Sequence, residues 1–318
     1  MAHQAFTVTA DEAGMRLDKF LAKKLPGIPP ALFSRLMRKG AIRVAKGRVK
    51  GDRRLVVGEE VRLPLLEPPA ELPESGPRPV PSGWVERMRG AILYQDEAVV
   101  VVDKPPGMVA HAGSDHPFGL IDVIAALFPG EEIQLVHRLD RDTTGVVLLA
   151  KGGAALRALN HALAQGQFQK QYVALSDGIP KPSRGSVDVP LTKGVLRGGE
   201  RMVAVGEGGE RALTTYKTLA AKQNVGLIAL TPHTGRTHQL RVHLAHLGTP
   251  IVGDRKYGKG FPAQFEGLGR LPLCLHAFRL SFPHPTLNRT VAVTAPLPEA
   301  WGPLLERVGI DPGVVLEG

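Results

Sequence analysis

The segment HRLDRDTTG, residues 137–145, places two aspartates and two arginines directly before the apolar run VVLLAK. Asp140 lies between Arg138 and Arg141, and a guanidinium typically lowers the pKa of a neighbouring carboxylate by ~1–3. A carboxylate that stays charged beside a buried strand could act on a bound substrate. Surface salt bridging is the alternative explanation for Asp140 taken by itself.

Three other short segments concentrate unusual residues: DKPPGMVAH (103–111), KQYVAL (170–175) and HTGRTHQLRVH (233–243). Histidines cluster in and after the last segment, but their spacing matches no zinc-binding signature, so we expect no metal site. The single cysteine, Cys274, excludes an internal disulfide and a multi-cysteine metal site. The sequence also contains no Gly-rich phosphate loop.

The charge of the chain is concentrated at one end. Of the net charge of +10 over 318 residues, residues 1–66 supply +8, from 14 Lys+Arg against 6 Asp+Glu. A basic module of this kind indicates a polyanionic partner, and nucleic acid is the obvious candidate. No apolar run approaches the ~18 residues of a membrane span and no signal peptide opens the chain, so we expect a cytoplasmic protein.

Residues 1–66 have the periodicity of a small folded unit. Leu17, Phe20, Leu21 and Leu25 form one stripe of a helix, and a second helix runs from Pro30 to a glycine cap at residue 40. The short runs AIRV, RRLVV and EEVRLP predict strands. The Pro- and Gly-rich residues that follow predict a linker over 67–89, and a second domain over 90–318.

The second domain alternates strands with occasional helices. Strands are predicted at AILYQ, AVVVVDK, QYVALSDG, ALTTYKTLA, VGLIALTP and CLHAFRLSF. Helices are predicted after Lys151 and over 237–247, where helical spacing would put Arg241 on the side of Thr237 and His238. This pattern favours an α+β fold built on a mixed, mainly antiparallel sheet with flanking helices.

Together the four segments resemble the RluA family of RNA pseudouridine synthases, which act on ribosomal and transfer RNA. The resemblance covers nearly the whole chain, and HRLDRDTTG followed by VVLLAK is its most specific part. It implies the pseudouridine synthase fold, a cofactor-free isomerisation of uridine, and monomeric action. The arrangement is closest to members that modify 23S large-subunit ribosomal RNA; a transfer RNA substrate stays open.

The resemblance also implies roles for individual residues. Asp140 matches the family's catalytic aspartate, Arg241 its charge partner and Tyr172 the tyrosine that stacks on the target base. Arg138 would fill the space left by the flipped uridine, and Gly145 would let the backbone turn and the substrate approach. Further substrate contacts are expected from His137, Arg236 and His238. Lys104 would shape the cleft wall or contact RNA, and Arg141 and Asp142 would pair with each other.

The first module, from GMRLDKFLAKKL to VVGEEVRLP, resembles the S-four-like RNA-binding domain of many RNA-modifying enzymes; helix-turn-helix DNA binding is its structural competitor. The residues expected to contact RNA are Arg16, Lys19, Arg35, Arg38, Lys39 and Arg43. Two other functions stay open. A non-catalytic ribosome assembly factor would need RNA binding alone, and a hydrolase with an aspartate nucleophile would turn over small esters without RNA.

Overall fold

The computed structural model describes residues 3–26, 28, 30–45, 47–66, 80–113, 116–197 and 200–317. The chain divides into two units, Met1–Gly76 and Pro77–Gly318. Within the described ranges, no helix is long and apolar enough to span a membrane. Each unit has its own hydrophobic core and is described by itself.

The first unit combines two helices with a small antiparallel sheet. Its elements are β1 (His3–Thr7), α1 (Leu17–Lys24), α2 (Pro30–Arg38), β2 (Arg43–Val44), β3 (Gly47–Arg48) and β4 (Glu60–Pro64), with the strand order β1-β4-β2-β3. The stripe predicted for α1 is buried at Leu17, Phe20 and Leu21, and it packs on Phe33 of α2. Both predicted helices are therefore confirmed.

One predicted strand of the first unit is wrong, and two strands, β1 and β3, were missed. The run RRLVV, residues 53–57, forms an isolated bridge between Arg54 and Arg16 instead of a strand. Its backbone pairs with residues 14–17, and α1 begins at Leu17, so a longer ladder cannot form. The missed strand β1 lies on the edge of the sheet, and its alternation of exposed and half-buried residues gives only a weak apolar signal.

The second unit contains the remaining helices and strands. They are α3 (Ser82–Gly90), β5 (Ile92–Gln95), β6 (Val99–Lys104), α4 (Leu120–Leu127), β7 (Ile133–Leu135), β8 (Thr144–Lys151), α5 (Gly152–Ala164), β9 (Gln169–Asp177), β10 (Arg184–Asp188), β11 (Leu191–Arg197), β12 (Glu200–Val205), β13 (Leu213–Lys222), β14 (Val225–Pro232), α6 (Gln239–His246), β15 (Leu275–Pro283), β16 (Thr290–Thr294), α7 (Gly302–Val308) and α8 (Val314–Glu317). The six strands predicted for this domain correspond to β5, β6, β9, β13, β14 and β15.

A large mixed sheet organises this unit, with the order β10-β13-β14-β9-β15-β8-β6-β5; β7 also pairs with β8, and β16 with β15. All these pairs are antiparallel except β8 with β15. Strand β6 and the apolar part of β8 are buried on both faces, which explains their continuous apolar runs. The predicted α+β fold with a mixed, mainly antiparallel sheet is confirmed.

The parallel contact between β8 and β15 joins the two halves of this sheet, and we call it the seam. It consists of the pairs His276–Thr144 and Ala277–Gly145. Gly145 has φ 107°, and a Cβ atom there would lie 2.3 Å from the carbonyl oxygen of Ala277. The close approach that requires glycine is therefore made by strand β15, and the expectation that Gly145 makes room for substrate is wrong.

The predicted linker extends too far along the chain. Its residues 67–79 lie outside the described part of the chain, but Ser82–Gly90 forms α3. Met88 of this helix is fully buried, and Trp84 packs edge-on against Phe118 at 6.1 Å between ring centroids. The second domain therefore begins before the predicted residue 90, because Trp84 and Met88 dock this short polar helix onto it.

Candidate active site

The loop that holds Asp140 connects β7 to β8 and is anchored by buried apolar side chains. Val136 and Leu139 are buried, whereas Arg138 is exposed and Asp140 is half-buried. The carbonyl oxygen of Asp140 accepts a hydrogen bond of 3.2 Å from the Thr143 amide, which closes the turn. Alternating buried and exposed side chains thus direct Arg138 and Asp140 outward from a fixed loop.

Lys104, at the end of β6, ties this loop to its neighbours. Its Nζ donates to the carbonyl oxygens of Arg141, Pro105 and Met108 at 2.8, 2.9 and 3.1 Å. Burial lowers the pKa of Lys104 to about 7, although nearby aspartates oppose the shift. Since Lys104 is 1% exposed, its role is to hold the loop, and the expected contact with RNA is wrong.

The Asp140 carboxylate faces a buried guanidinium. Nη1 of Arg241 lies 3.4 Å from Oδ2 of Asp140, while Nε and Nη2 of Arg241 donate to the two oxygens of Asp254 at 2.7 and 2.8 Å. The Asp254 side chain is fully buried, and Asp140 is 27% exposed. Arg241 is therefore fixed by Asp254 and directs its remaining nitrogen at the more accessible carboxylate.

His238 also reaches Asp140, but through a different geometry from the one predicted. Helix α6 begins at Gln239, and His238 precedes it with a left-handed backbone, φ 54° and ψ 18°. Its Nε2 lies 3.8 Å from Oδ2 of Asp140. Thr237 and His238 are therefore outside the helix, and the shared helical face predicted for them and Arg241 is wrong.

Tyr172 lies in the middle of β9, between Leu230 of β14 and Ala277 of β15. Burial, and then the charge of Asp140, raises the pKa of Tyr172. Its phenol is therefore protonated at neutral pH, and it can offer a ring face and an O–H donor but no charge.

These side chains surround a cavity of about 630 Å³, which we call the first cavity. All seven residues predicted for catalysis or substrate contact line it: His137, Arg138, Asp140, Tyr172, Arg236, His238 and Arg241. Chain segments more than a hundred residues apart in sequence therefore converge on one cleft. The predicted pairing of Arg141 with Asp142 is also present, at 3.0 Å.

Two of the seven residues form hydrogen bonds or ion pairs with other parts of the protein. Nε2 of His137 accepts a hydrogen bond of 3.2 Å from the Leu148 amide, and burial lowers the pKa of His137 to about 3. Arg236 pairs with Glu210 and donates from Nε to the carbonyl oxygen of Arg211 at 3.0 Å. His137 is thus an uncharged part of the wall, and Arg236 supports the rim.

A second cavity of about 1020 Å³ shares five residues with the first: Arg138, Leu139, Asp140, His238 and Arg241. Its wall also contains Arg255, Lys256, Arg270, His111 and His116. Within the described part of the chain, the side chains of Arg138, Arg255 and Arg270 have no hydrogen-bond or salt-bridge partner. The catalytic carboxylate candidate therefore lies where a small cleft meets a wider basic groove.

Sequence reasoning assigned no role to several residues that shape the site. Asp254 and Tyr257 belong to DRKYG, a short motif whose only signal is its polar and aromatic content. Gln239 accepts hydrogen bonds from the Arg236 amide and the Thr234 hydroxyl at 3.0 and 2.8 Å, which holds the turn before α6. A buried amide in the first turn of an apolar helix could have indicated this role.

The histidines do not form a metal site in the described residues. No three His, Cys, Asp or Glu side chains there are grouped so that they could hold a metal ion. Of the clustered histidines, His238 faces Asp140, whereas His243 is buried with Nδ1 2.9 Å from the Thr214 hydroxyl.

Fold and site together define a cleft enzyme in which a carboxylate, a guanidinium and a protonated tyrosine line one pocket. Residues 98–246 match the family model described as RNA pseudouridylate synthase. The ribosomal large subunit pseudouridine synthase C of Haemophilus ducreyi is 42% identical over 298 residues, covering 92% of each chain. The protein of that name from Escherichia coli K12 is 40% identical over 305 residues, covering 95% of each.

A solved structure gives the same result for the fold. Human RNA pseudouridylate synthase domain containing 4 superposes with a TM-score of 0.61 at 29% identity, over 71% of this chain and 96% of that one. The chain therefore belongs to the RNA pseudouridylate synthase family and is a pseudouridine synthase, an isomerase. The family resemblance inferred from the four motifs is confirmed.

Proposed function

We propose that the protein converts specific uridines of 23S large-subunit ribosomal RNA into pseudouridine, with Asp140 as the catalytic carboxylate. The observation that carries the proposal is the position of Asp140, half-exposed between two cavities with Arg241 3.4 Å away. The names of the relatives, which cover 92–95% of the chain, support ribosomal RNA as the substrate.

The reaction exchanges one bond for another. The glycosidic bond between N1 of the base and the ribose breaks, the base turns over, and its carbon 5 becomes bonded to the ribose; carbon 5 releases a proton and N1 takes one up. No electrons are gained or lost, so Asp140, Arg241 and Tyr172 can supply the chemistry. Asp140 acts in its charged form beside the sugar, and Arg241 stabilises that charge. The ring of Tyr172 stacks on the base.

Arg138 is assigned the task of replacing the flipped base. Extracting a base from a stack costs a few kcal/mol, and a planar guanidinium can stack in the space and donate to neighbouring bases. Its exposed side chain stands at the junction of the two cavities, without a partner in the described residues. A cavity of about 630 Å³ lies within the usual range of ~300–1,000 Å³ for small-ligand sites.

We also propose that the first unit is an S-four-like RNA-binding module. The six basic residues predicted for RNA contact are all exposed. Arg16 is engaged by Asp18 at 2.6 Å, whereas Arg35 and Arg38 of α2, and Lys39 directly after it, are exposed and have no partner among the described residues. Such a module would act with the second unit as a monomer in the cytoplasm. Replacing Arg35, Arg38 and Lys39 by alanine should weaken RNA binding and leave kcat unchanged.

The reaction is tested by tritium release from carbon 5 of uridine in unmodified 23S ribosomal RNA. Wild type should release tritium and Asp140→Asn should not, since the substitution keeps the shape and removes the charge. Asp142→Asn is the matched control, because it removes a carboxylate from the same loop that pairs with Arg141 on the surface. Tritium release from transfer RNA but not from 23S ribosomal RNA would show that transfer RNA is the substrate. RNA binding without tritium release would favour a non-catalytic assembly factor.

A further inference from the structure

The hydroxyl of Tyr257 has two hydrogen-bonding neighbours among the described residues. The Val203 amide of β12 lies 3.1 Å away and can only donate to it. Nδ1 of His238 lies 2.7 Å away. The phenolic proton needs an acceptor, and Nδ1 is the only one of the two that can serve. The Tyr257 hydroxyl therefore donates its proton to Nδ1 of His238.

His238 is uncharged at neutral pH, because burial lowers its pKa, against the smaller opposing effect of Asp140. A neutral imidazole carries one proton, and with Nδ1 acting as acceptor that proton is on Nε2. The charged and titratable groups that face this ring are Asp140, Arg241, Asp254, Lys256 and Tyr257. Nε2 has no hydrogen-bond partner in the described residues, and His238 lines both cavities.

Tyr257 is itself held from three directions. Its backbone amide donates to Oδ1 of Asp254 at 3.1 Å, and the guanidinium carbon of Arg241 lies 5.1 Å from the ring centroid. The Val203 amide fixes the hydroxyl from the side of the β11–β12 hairpin. The rings of Tyr257 and His238 meet edge to face at 5.6 Å between centroids. The acceptor for the phenolic proton is therefore set before substrate arrives.

The backbone of His238 indicates that its ring position is required. A non-glycine residue rarely adopts φ 54°, because the left-handed conformation brings its Cβ too close to the following carbonyl oxygen. Strain of this kind persists where surrounding contacts enforce it, and it concentrates at functional sites. At His238 the strained turn brings Nε2 to 3.8 Å from Oδ2 of Asp140, too far for a hydrogen bond but near enough to share a bound atom.

We propose that Tyr257 is a positioning residue that fixes the tautomer of His238, so that His238 presents an N–H donor beside Asp140 to an oxygen of the bound nucleotide. The catalytic part of this inference rests on the proposed function. The tautomer itself does not, since it follows from the contacts of the protein alone.

The tautomer is tested by nitrogen NMR on protein labelled at histidine nitrogens, with the His238 signals assigned by their loss in His238→Gln. Wild type should show a proton on Nε2 and none on Nδ1. Tyr257→Phe should give a mixture of tautomers, while Tyr94→Phe, which removes a hydroxyl bonded to Asp96, should not. A proton on Nδ1 in wild type overturns the inference whatever the activity.

Kinetics tests the functional part. Tyr257→Phe should lower kcat roughly 10-fold with little change in KM, the effect of about one hydrogen bond. Its acidic pH limb should move to higher pH: the lost bond favoured the neutral imidazole, and a protonated His238, with Nε2 3.8 Å from Oδ2 of Asp140, would form an ion pair with the carboxylate that the reaction needs free. A purely structural role for the hydroxyl would lower stability without moving that limb, and an unmoved limb overturns the functional part.

Conservative variants of His238 separate the two ring nitrogens. The amide of glutamine can place an N–H near the position of Nε2, so His238→Gln should keep much of the activity and become insensitive to Tyr257→Phe. Asparagine reaches only the region of Nδ1, so His238→Asn should not be rescued. Equal activities of the two variants contradict the inference. A proton on Nε2 together with no activity on any RNA would instead reject the proposed function alone.

Discussion

The guanidinium of Arg241 is bound by both oxygens of Asp254, at 2.7 and 2.8 Å, and approaches Asp140 only at 3.4 Å. A two-point contact with a fully buried carboxylate fixes the plane of the guanidinium. Asp140 therefore meets a cation whose orientation does not depend on Asp140 itself, and the carboxylate stays accessible to substrate.

Asp254→Asn should destabilise the protein more than Asp140→Asn does. Removing one partner of a buried ion pair typically costs ~3–5 kcal/mol, because the other charge is left uncompensated. Asp254 also accepts from the amides of Lys256 and Tyr257 at 2.9 and 3.1 Å. Urea unfolding measures the free energies, with Asp142→Asn as a surface control worth at most ~1 kcal/mol. Equal midpoints for all three variants would contradict the prediction.

Stability should fall in acid because of the buried His276. Burial lowers its pKa to about 4, against 6.5 in the unfolded chain, so between these pH values the unfolded state binds more protons. Its contribution to stability is complete above pH 6.5 and is lost as the pH falls towards 4, by up to ~1.4 kcal/mol per pH unit.

His276→Gln should therefore flatten the dependence of unfolding free energy on pH within that window, relative to wild type. The comparison of slopes removes the contributions of all other titrating groups. Parallel curves for the two proteins would show that His276 is protonated to the same extent in the folded and unfolded states.

Gly145→Ala should be among the most destabilising single substitutions in the second unit. The added Cβ would lie 2.3 Å from the Ala277 carbonyl oxygen at the seam, in addition to the penalty of φ 107°. Gly130→Ala is the matched control, since Gly130 has φ 85° and a Cβ added there would have no atom within 4 Å. We expect a loss of ~1–2 kcal/mol for the control and clearly more for Gly145. Thermal unfolding of the pair measures the difference, and similar losses would show that the seam can open without cost.

The basic wall of the second cavity should bind the strand beside the target uridine. Replacing Arg255 and Arg270 by alanine should reduce RNA affinity and lower the salt dependence of binding by about 0.7–0.9 per phosphate lost. Arg157→Ala with Arg279→Ala is the control, because both side chains are exposed and neither lines the first or the second cavity. Binding curves over a series of salt concentrations supply the slopes. An unchanged slope in the Arg255 and Arg270 variant would remove this groove from the RNA path.

The parts of the molecule that sequence could predict are those with local signals. Continuous apolar runs identify β6 and the apolar part of β8, and the compact motifs carry every residue of the predicted site. Contacts between distant segments have no such signal. The bond between Tyr257 and His238, and the priority of Asp254 over Asp140 as partner of Arg241, depend on how loops meet in space. The left-handed turn at His238 likewise follows from tertiary contacts, since the surrounding residues predict a helix.

The seam places the site across a joint. Asp140 lies in the loop that leads into β8, in one half of the sheet. Arg241 and Asp254 lie in the segment between β14 and β15, in the other half. The ladder between the halves is two residue pairs long, braced by the Thr144 hydroxyl 2.8 Å from Nδ1 of His276. A slight parting of β8 from β15 would separate Asp140 from Arg241, and it would also disturb the apolar cluster in which Val146 and Leu148 of β8 pack with Phe282 of β15. Damage to this joint should therefore lower activity and stability together.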